Sequence, residues 1–258
     1  MVEDSLSPAA IANGLNTSFI GQEVSCYPSL PSTNDMAKRQ ARQGAKEGTV
    51  IIAGEQTAGR GRIGRGWLSP RGSIALSIVL YPPLAYLPSL IMVASLAVAN
   101  SIEQVTGLKA QLKWPNDVLT KDKKVCGILI ESDVRGSRVD YAVIGIGLNV
   151  NINPAEFPQI APFATSLSQE LGRDVSRREL IRSLLTEAEK LYLALPEDWV
   201  FRQWRDRLVT LGKRIRVSSG EAAYRGVAES VAPDGSLLLR QPGGKLVKIV
   251  AGDVTLRQ

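Results

Sequence analysis

Apolar residues recur along this chain in two textures. Up to about residue 210 they form runs long enough for buried strands and helices; beyond Lys213 they come in short runs cut by turn residues. Residues 49–53, 73–81 and 140–149 are nearly unbroken apolar stretches of strand length, as expected for strands covered on both faces. Residues 23–27 and 110–112 predict shorter strands. Residues 125–131 predict the return strand of a hairpin whose turn is Lys121-Asp122-Lys123-Lys124. Helical spacing predicts helices over 36–45, over 88–105 with a stop near Gly107, and through 195 behind the capping box Ser176-Arg177-Arg178-Glu179. A further helix covers 198–208. Residues 1–20 predict no strong element.

Past Lys213, five short runs (214–217, 223–231, 236–240, 246–250 and 254–256) alternate with Ser-Gly, Pro-Asp-Gly and Pro-Gly-Gly turns. That rhythm predicts a small β-barrel. A boundary near 211 therefore divides the chain into a domain of residues 1–210 and a smaller one of 211–258. The most apolar stretch, 84–99, carries Pro88, Ser89 and Ser95 and predicts a buried helix, since it is short for a bilayer span. No basic segment followed by an apolar core opens the chain, so no secretory signal is expected.

Composition narrows the chemistry. The 258 residues carry a net charge of +6, which favours anionic ligands without reaching the density of a nucleic-acid tail. The two cysteines, Cys26 and Cys126, have no CxxC spacing, which predicts neither a disulfide framework nor a zinc site and fits the cytoplasm. There is no histidine. Ser-His-Asp and Cys-His catalysis and every imidazole-ligated metal are excluded together. Lys, Arg, Asp, Asn, backbone amides and an oxygen-bound Mg²⁺ remain.

The stretch Gly54-Glu55-Gln56-Thr57-Ala58-Gly59-Arg60-Gly61-Arg62-Ile63-Gly64-Arg65-Gly66-Trp67 combines five glycines with three arginines directly after an apolar run. Glycine admits close backbone approach, and arginine offers a charged fork for carboxylate or phosphate. Residues 59–64 formally match GxGxxG, but that fingerprint requires a helix to open next. Arg65-Gly66-Trp67-Leu68-Ser69-Pro70-Arg71-Gly72 cannot supply one, and GxxxxGK[ST] is absent. Ser32, Thr33 and Asn34 stand where a helix begins, either as caps or as hydroxyls and amides presented to a polar ligand head. The interior glycines of Tyr-Ala-Val-Ile-Gly-Ile-Gly-Leu-Asn (141–149) predict close approach by another backbone or by a ligand. Lys121 and Lys123 read as turn lysines; Lys124 adjoins the buried strand.

The order Ser-Thr-Asn, Gln-Thr-Ala-Gly-Arg-Gly-Arg-x-Gly-Arg-x-Trp, Lys-Trp-Pro-Asn-Asp, Lys-x-x-Gly-Ile-Leu-x-Glu and Gly-x-Asn-x-Asn resembles the biotin–protein ligases, from about Ser32 to the C-terminus. Lipoate ligases share the fold but not, in general, the arginine loop. The resemblance implies an α+β fold: a mixed, mostly antiparallel sheet packed with helices, like the class II aminoacyl-tRNA synthetases, then a Src-homology-3-like barrel. It implies a two-step reaction in which biotin and ATP, with Mg²⁺, form biotinoyl-AMP and pyrophosphate, and the biotinoyl group passes to a lysine of a biotin carboxyl carrier domain. By position, Ser32, Thr33, Asn34 and Gln56 resemble the ligands of the biotin head group. Gly59, Arg60, Gly61 and Arg62 match the loop that closes over the biotinoyl chain and adenylate. Lys124 matches a lysine near the biotin carboxylate and the phosphate, and Gly127 the strand lining the biotin site. Trp67, Asn116, Asp117 and Asn149 match positions around the nucleotide, with Arg257 reaching toward it. Arg62, Lys124 and Asp117 are the catalytic candidates, and no side-chain metal site is assigned.

Two departures stand out. Pro31 replaces the acidic residue that many members carry before Ser-Thr-Asn, which bears on local geometry. No DNA-binding extension precedes the match, so neither DNA nor a membrane is expected as a partner; a homodimer is left open.

The chemistry agrees with the resemblance. Bringing a carboxylate within 4 Å of a phosphate costs about 4 kcal/mol at an effective dielectric near 20. Hydrogen bonds from Arg60, Arg62 and Lys124 to charged oxygens, at about 1.5–3 kcal/mol each, can offset it. The nucleophile is already ionised, so no histidine base is needed. A glycine-rich loop can exclude water from the anhydride. Asp117 could orient or accept the acceptor lysine's proton. The competing readings are a lipoyl or octanoyl transfer enzyme and a nucleic-acid-binding module; the latter calls for aromatics interleaved with basic residues, and aromatics are only 5% of the chain.

Overall fold

The computed structural model describes residues 6–195, 197–219 and 222–256. Its larger sheet contains β1 (Val24–Tyr27), β2 (Val50–Ala53), β3 (Ile74–Leu80), β4 (Gln111–Lys113), β5 (Asp117–Thr120), β6 (Lys123–Arg135) and β7 (Arg138–Leu148), in the order β1-β2-β3-β7-β6-β5-β4. Only β1 and β2 are parallel; all other neighbours are antiparallel. This is the mixed, mostly antiparallel sheet expected.

Side chains of a strand alternate between faces, and here the alternation sorts chemistry from core. On β3, Ile74, Leu76, Ile78 and Leu80 join the main core, while Ala75 and Val79 pack with Ala37 and Ala41 of α2 (Thr33–Arg42). On β7, Ala142, Ile144, Ile146 and Leu148 face the core, whereas Tyr141 and Val143 face α2. The remaining members of that second face are Ser77, Gly145 and Gly147, and β6 adds Gly127 and Glu131 in register with them. The site is built on this face.

The opposite face is covered by α3 (Leu90–Thr106), against which α5 (Arg177–Leu193) packs. The segment Leu84–Thr106 is long and apolar enough to cross a membrane by composition, but α3 buries Leu90, Val93, Leu96, Ala97, Val98 and Ile102 in the main core. Gly107 ends it in the left-handed conformation with its N–H on the Glu103 carbonyl. The buried-helix expectation holds.

Four expectations change. Residues 6–20 are structured: Ser7 caps a short helix, α1 (Pro8–Ala12), and Ile11 and Ile20 are buried. The Glu189 carboxylate of α5 accepts the N–H groups of Ser18 (2.6 Å), Phe19 (2.9 Å) and Ile20 (2.8 Å). A five-residue helix is too short to show a period. Second, α2 starts at Thr33 rather than at Met36, because the Ser32 hydroxyl accepts from the Asp35 N–H. Third, the hairpin turn contracts to Lys121 and Asp122, both at positive φ, so Lys123 and Lys124 belong to β6. Fourth, a short helix, α4 (Leu167–Leu171), interrupts the loop after Asn149.

After α6 (Asp198–Asp206), five antiparallel strands form the second sheet: β8 (Arg214–Ser219), β9 (Ala222–Val231), β10 (Leu237–Arg240), β11 (Leu246–Ile249) and β12 (Asp253–Leu256). Their order is β11-β10-β9-β8-β12, and no β11–β12 pairing closes it among the described residues. It docks on the larger body through the Trp114 indole N–H, which donates to the Gly235 carbonyl at 2.9 Å.

Candidate active site

Residues 54–67 fold back on themselves into a hairpin-like arm. Gln56 N–H donates to Ser69 O (2.9 Å), Trp67 N–H to Gly59 O (2.8 Å) and Gly61 N–H to Arg65 O (2.7 Å). The tip is a single 3₁₀ turn, Arg62–Gly64, in which exposed Ile63 takes a positive φ of 54°. No helix follows, so the dinucleotide fingerprint fails on structure as it did on context. Pro31 leaves the junction intact: its carbonyl accepts the Ala58 N–H at 3.0 Å.

The arm roofs a cleft over the sheet. Ser32, Thr33, Asn34, Gln56, Arg60, Gly61, Arg62, Trp67, Asn116, Asp117, Lys124 and Gly127 all line it. Gly145, Gly147 and Val254 of β12 line it too. Gly59 and Asn149 are not in the lining. Asn149 is buried behind it, with Nδ2 donating to Thr165 O (3.0 Å) and Oδ1 without a hydrogen bond. Arg257 lies outside the described residues.

At one end the polar groups are fully specified. Gln56 Oε1 accepts from the Thr33 N–H (2.8 Å), and the Thr33 hydroxyl lies between Ser77 Oγ (2.8 Å) and Gln56 Oε1 (3.1 Å). Asn34 Nδ2 donates to Glu131 Oε2 (2.8 Å) and Leu129 O (3.3 Å), while Asn34 Oδ1 accepts from Ser77 Oγ (2.7 Å). Ser77 and Glu131 escaped the sequence assignments. The signal for Ser77 was a lone hydroxyl inside the apolar strand Ile74–Leu80; it is completely buried. Glu131 closed the Lys-x-x-Gly-Ile-Leu-x-Glu motif but received no role.

Arg60 lines the cleft, and its guanidinium pairs with Asp35 (2.6 Å) and Glu131 (3.0 Å). Lys38 completes this cluster at 2.8 Å from Glu131 and 3.0 Å from Asp35. Burial alone would raise the Glu131 carboxyl; hydrogen bonds from Lys38 and Asn34 and the charges of Lys38 and Arg60 hold it below the usual range.

At the other end stand Lys124, Asp117, Arg62 and Asn116. Lys124 Nζ pairs with Asp117 at 2.6 Å and lies 5.4 Å over the Trp67 ring, a cation–π contact. Asn116 is fixed by Nδ2 donating to Ile128 O (2.7 Å), so its Oδ1 meets Arg62 Nη1 at 3.4 Å. The neighbouring Cys126 thiol is fully buried and pushed up by burial, so it is no nucleophile.

The interior glycines find their reason here. A Cβ on Gly145 would stand 2.1 Å from Asn34 Oδ1, and one on Gly147 2.2 Å from Trp67 Nε1. The approach is by side chains that themselves wall the cleft, not by backbone. The Trp67 indole N–H is buried without a partner, a cost of about 1–3 kcal/mol that a ligand acceptor would relieve. No group of three or more His, Cys, Asp or Glu residues that could hold a metal occurs among the described residues.

Comparison with known proteins decides the class. Residues 26–149 match the Biotin/lipoate A/B protein ligase family, and residues 210–257 match the Biotin protein ligase C terminal domain. The Biotin--[acetyl-CoA-carboxylase] ligase of Mycobacterium tuberculosis is 36% identical over 270 residues, covering 97% of this chain and 97% of that protein. The chain belongs to the biotin protein ligase family. The bifunctional ligase/repressor BirA of Bacillus subtilis is also 36% identical, over 97% of this chain and 79% of its own length. The biotin protein ligase of Aquifex aeolicus, solved in complex with biotin and ATP, superposes with a TM-score of 0.77 at 29% identity, covering 92% of this chain and 99% of that one. In this ligase, as in its relatives, a mixed sheet with its helices precedes a small C-terminal domain.

Proposed function

We propose that the two ends of the cleft divide the work of biotin–protein ligation between recognition and chemistry. The protein is an ATP-dependent biotin–protein ligase. Biotin and ATP are its substrates, and Mg²⁺ arrives with ATP. One biotin carboxylate oxygen attacks the α-phosphorus, the bond to the β-phosphate bridging oxygen breaks, and pyrophosphate leaves. An acceptor lysine amine then attacks the acyl carbon, loses a proton and releases AMP.

The observation that carries the assignment is polarity: one end of the cleft holds hydrogen-bonding groups in fixed directions, the other the Lys124–Asp117 pair with Arg62 and Asn116. Ser32, Thr33, Asn34 and Gln56 take the ureido head. Gly59 to Arg62 roof the biotinoyl chain. Gly127 floors it. Lys124 and Arg62 face the carboxylate and phosphate; Asp117 and Asn116 hold those two cations in place, and Asp117 is the group nearest to handle the lysine proton. Trp67 walls the nucleotide side, where Asn149 backs it and Arg257 would enter from the C-terminal domain. Arg60 anchors the arm.

The acceptor is a biotin carboxyl carrier domain, and we place the division of the chain at 1–210 and 211–258. The reaction belongs in the cytoplasm, where the unpaired thiols of Cys26 and Cys126 stay reduced. Pyrophosphate release from ATP should require biotin and respond weakly to lipoate. Equal turnover with lipoate would move the protein to the lipoyl branch of the fold.

A further inference from the structure

Glu131 does not line the cleft, yet it touches two residues that do. Its carboxylate takes one Asn34 N–H at 2.8 Å and the Arg60 guanidinium at 3.0 Å, with Lys38 at 2.8 Å. An amide can be turned end for end at little steric cost, so something must choose which atom faces which way. Around Asn34 the choice is made by acceptors. Glu131 and the Leu129 carbonyl can only accept, so both must face Nδ2, whose two hydrogens they consume. Oδ1 is left toward Ser77 and the Gly145 backbone, with one lone pair used by the Ser77 hydroxyl. The remaining lone pair can accept one N–H.

We propose that Glu131 is a positioning residue for ligand recognition: by fixing the Asn34 amide as an acceptor it tunes the cleft to the N–H of a cyclic urea, and by holding Arg60 it tethers the arm that covers that ring. The first part rests on Asn34 being a head-group ligand. A cyclic urea offers N–H donors beside one carbonyl, and Asn34 Oδ1 supplies an acceptor for one of those donors. A turned Asn34 would place donor against donor, which leaves a buried group unpaired. Sites built to pair a substrate N–H discriminate through that penalty.

Glu131→Gln tests this, because a glutamine keeps the shape but can donate to a turned Asn34 Oδ1. In the full-length protein, biotin titration by calorimetry should show a dissociation constant raised about tenfold or more, equivalent to 1.4 kcal/mol. The KM for biotin should rise with it, while kcat at saturating biotin and the KM for ATP stay near native. In an Asn34→Ala background the same substitution should add little further loss in biotin affinity. Lys38→Met removes a charge from the cluster without touching Asn34 and should leave biotin affinity within about twofold. Native biotin affinity in Glu131→Gln overturns the proposal, as does an equal loss in Lys38→Met, which would indicate general electrostatics. If Asn34→Ala binds biotin normally, the head-group assignment itself fails. If Asn34→Ala is weak while Glu131→Gln is native, only the role of Glu131 falls.

Discussion

Lys124 shows how much a single side chain's meaning depends on its neighbours. In the string Lys121-Asp122-Lys123-Lys124 it is one of three lysines beside a turn. In the fold it is the one whose ammonium meets Asp117 at 2.6 Å inside the cleft, while Lys121 pairs with Glu170 at the surface. Adjacency to a buried strand marked Lys124 in the sequence; a register shift against β5, which sends both Val125 and Cys126 into the core, puts Lys124 on the cleft face with Gly127. Lys124→Ala should lower the adenylation rate by about 10²–10³, by comparison with loss of one oxyanion-stabilising donor. Asp117→Asn should cost less alone and add little to Lys124→Ala, since the two act as a pair. Single-turnover pyrophosphate release measures both; a near-native rate for Lys124→Ala would return it to the turn. Arg60 teaches the opposite lesson. Its charge could be read from the sequence, but its partners, Asp35 and Glu131, are 25 and 71 residues away.

At the level of the element, β7 accounts for most of the cleft's shape. Alternation along Arg138–Leu148 sends Ala142, Ile144, Ile146 and Leu148 into the main core and leaves Gly145 and Gly147 on the face shared with Tyr141 and Val143. Two glycines two residues apart make a shelf, and the Asn34 and Trp67 side chains lie on it. The glycines were visible as weaknesses in a strand, and a close approach could be inferred from them. What approaches could not, because Asn34 and Trp67 belong to distant segments. Gly147→Ala should push Trp67 out of place, cost about 1–3 kcal/mol of stability as an overpacked site does, and reduce biotin-dependent pyrophosphate release well beyond that structural loss. Thermal melting and turnover on the same sample separate the two effects. Full activity in this variant would mean the Trp67 position is immaterial.

Across the whole molecule, residues 6–20 are part of the body rather than an appendage. Three consecutive N–H groups of residues 18–20 end on the Glu189 carboxylate. Burial would raise that carboxyl; the hydrogen bonds from Ser18, Phe19 and Ile20 outweigh it and hold it below its ordinary value. Stability from this contact is therefore complete above the unfolded carboxyl value of about 4.3 and is lost as pH falls through the lower folded value. Glu189→Gln should destabilise the protein at neutral pH by about 1–3 kcal/mol and flatten the loss of stability below pH ~4.3. Denaturant midpoints at neutral and acid pH check both parts. An unchanged acid profile would place the acid sensitivity elsewhere.

By itself the sequence determined where strands and helices run, the caps and stops of its helices, the five short strands at the end, and a chemistry without histidine. The class of sheet and the acyl-adenylate came from the resemblance its motifs carry. The elements, caps and turns rest on local rules: periodicity, capping and turn chemistry act over a few residues. Only the tertiary structure decided which way the Asn34 amide faces, which carboxylates hold Arg60, and that Ser77, Glu131 and Val254 belong to the site. Such choices depend on hydrogen-bond partners brought together from distant segments by the sheet order β3-β7-β6-β5. No local pattern encodes the direction of a donor at a partner that the chain has yet to reach.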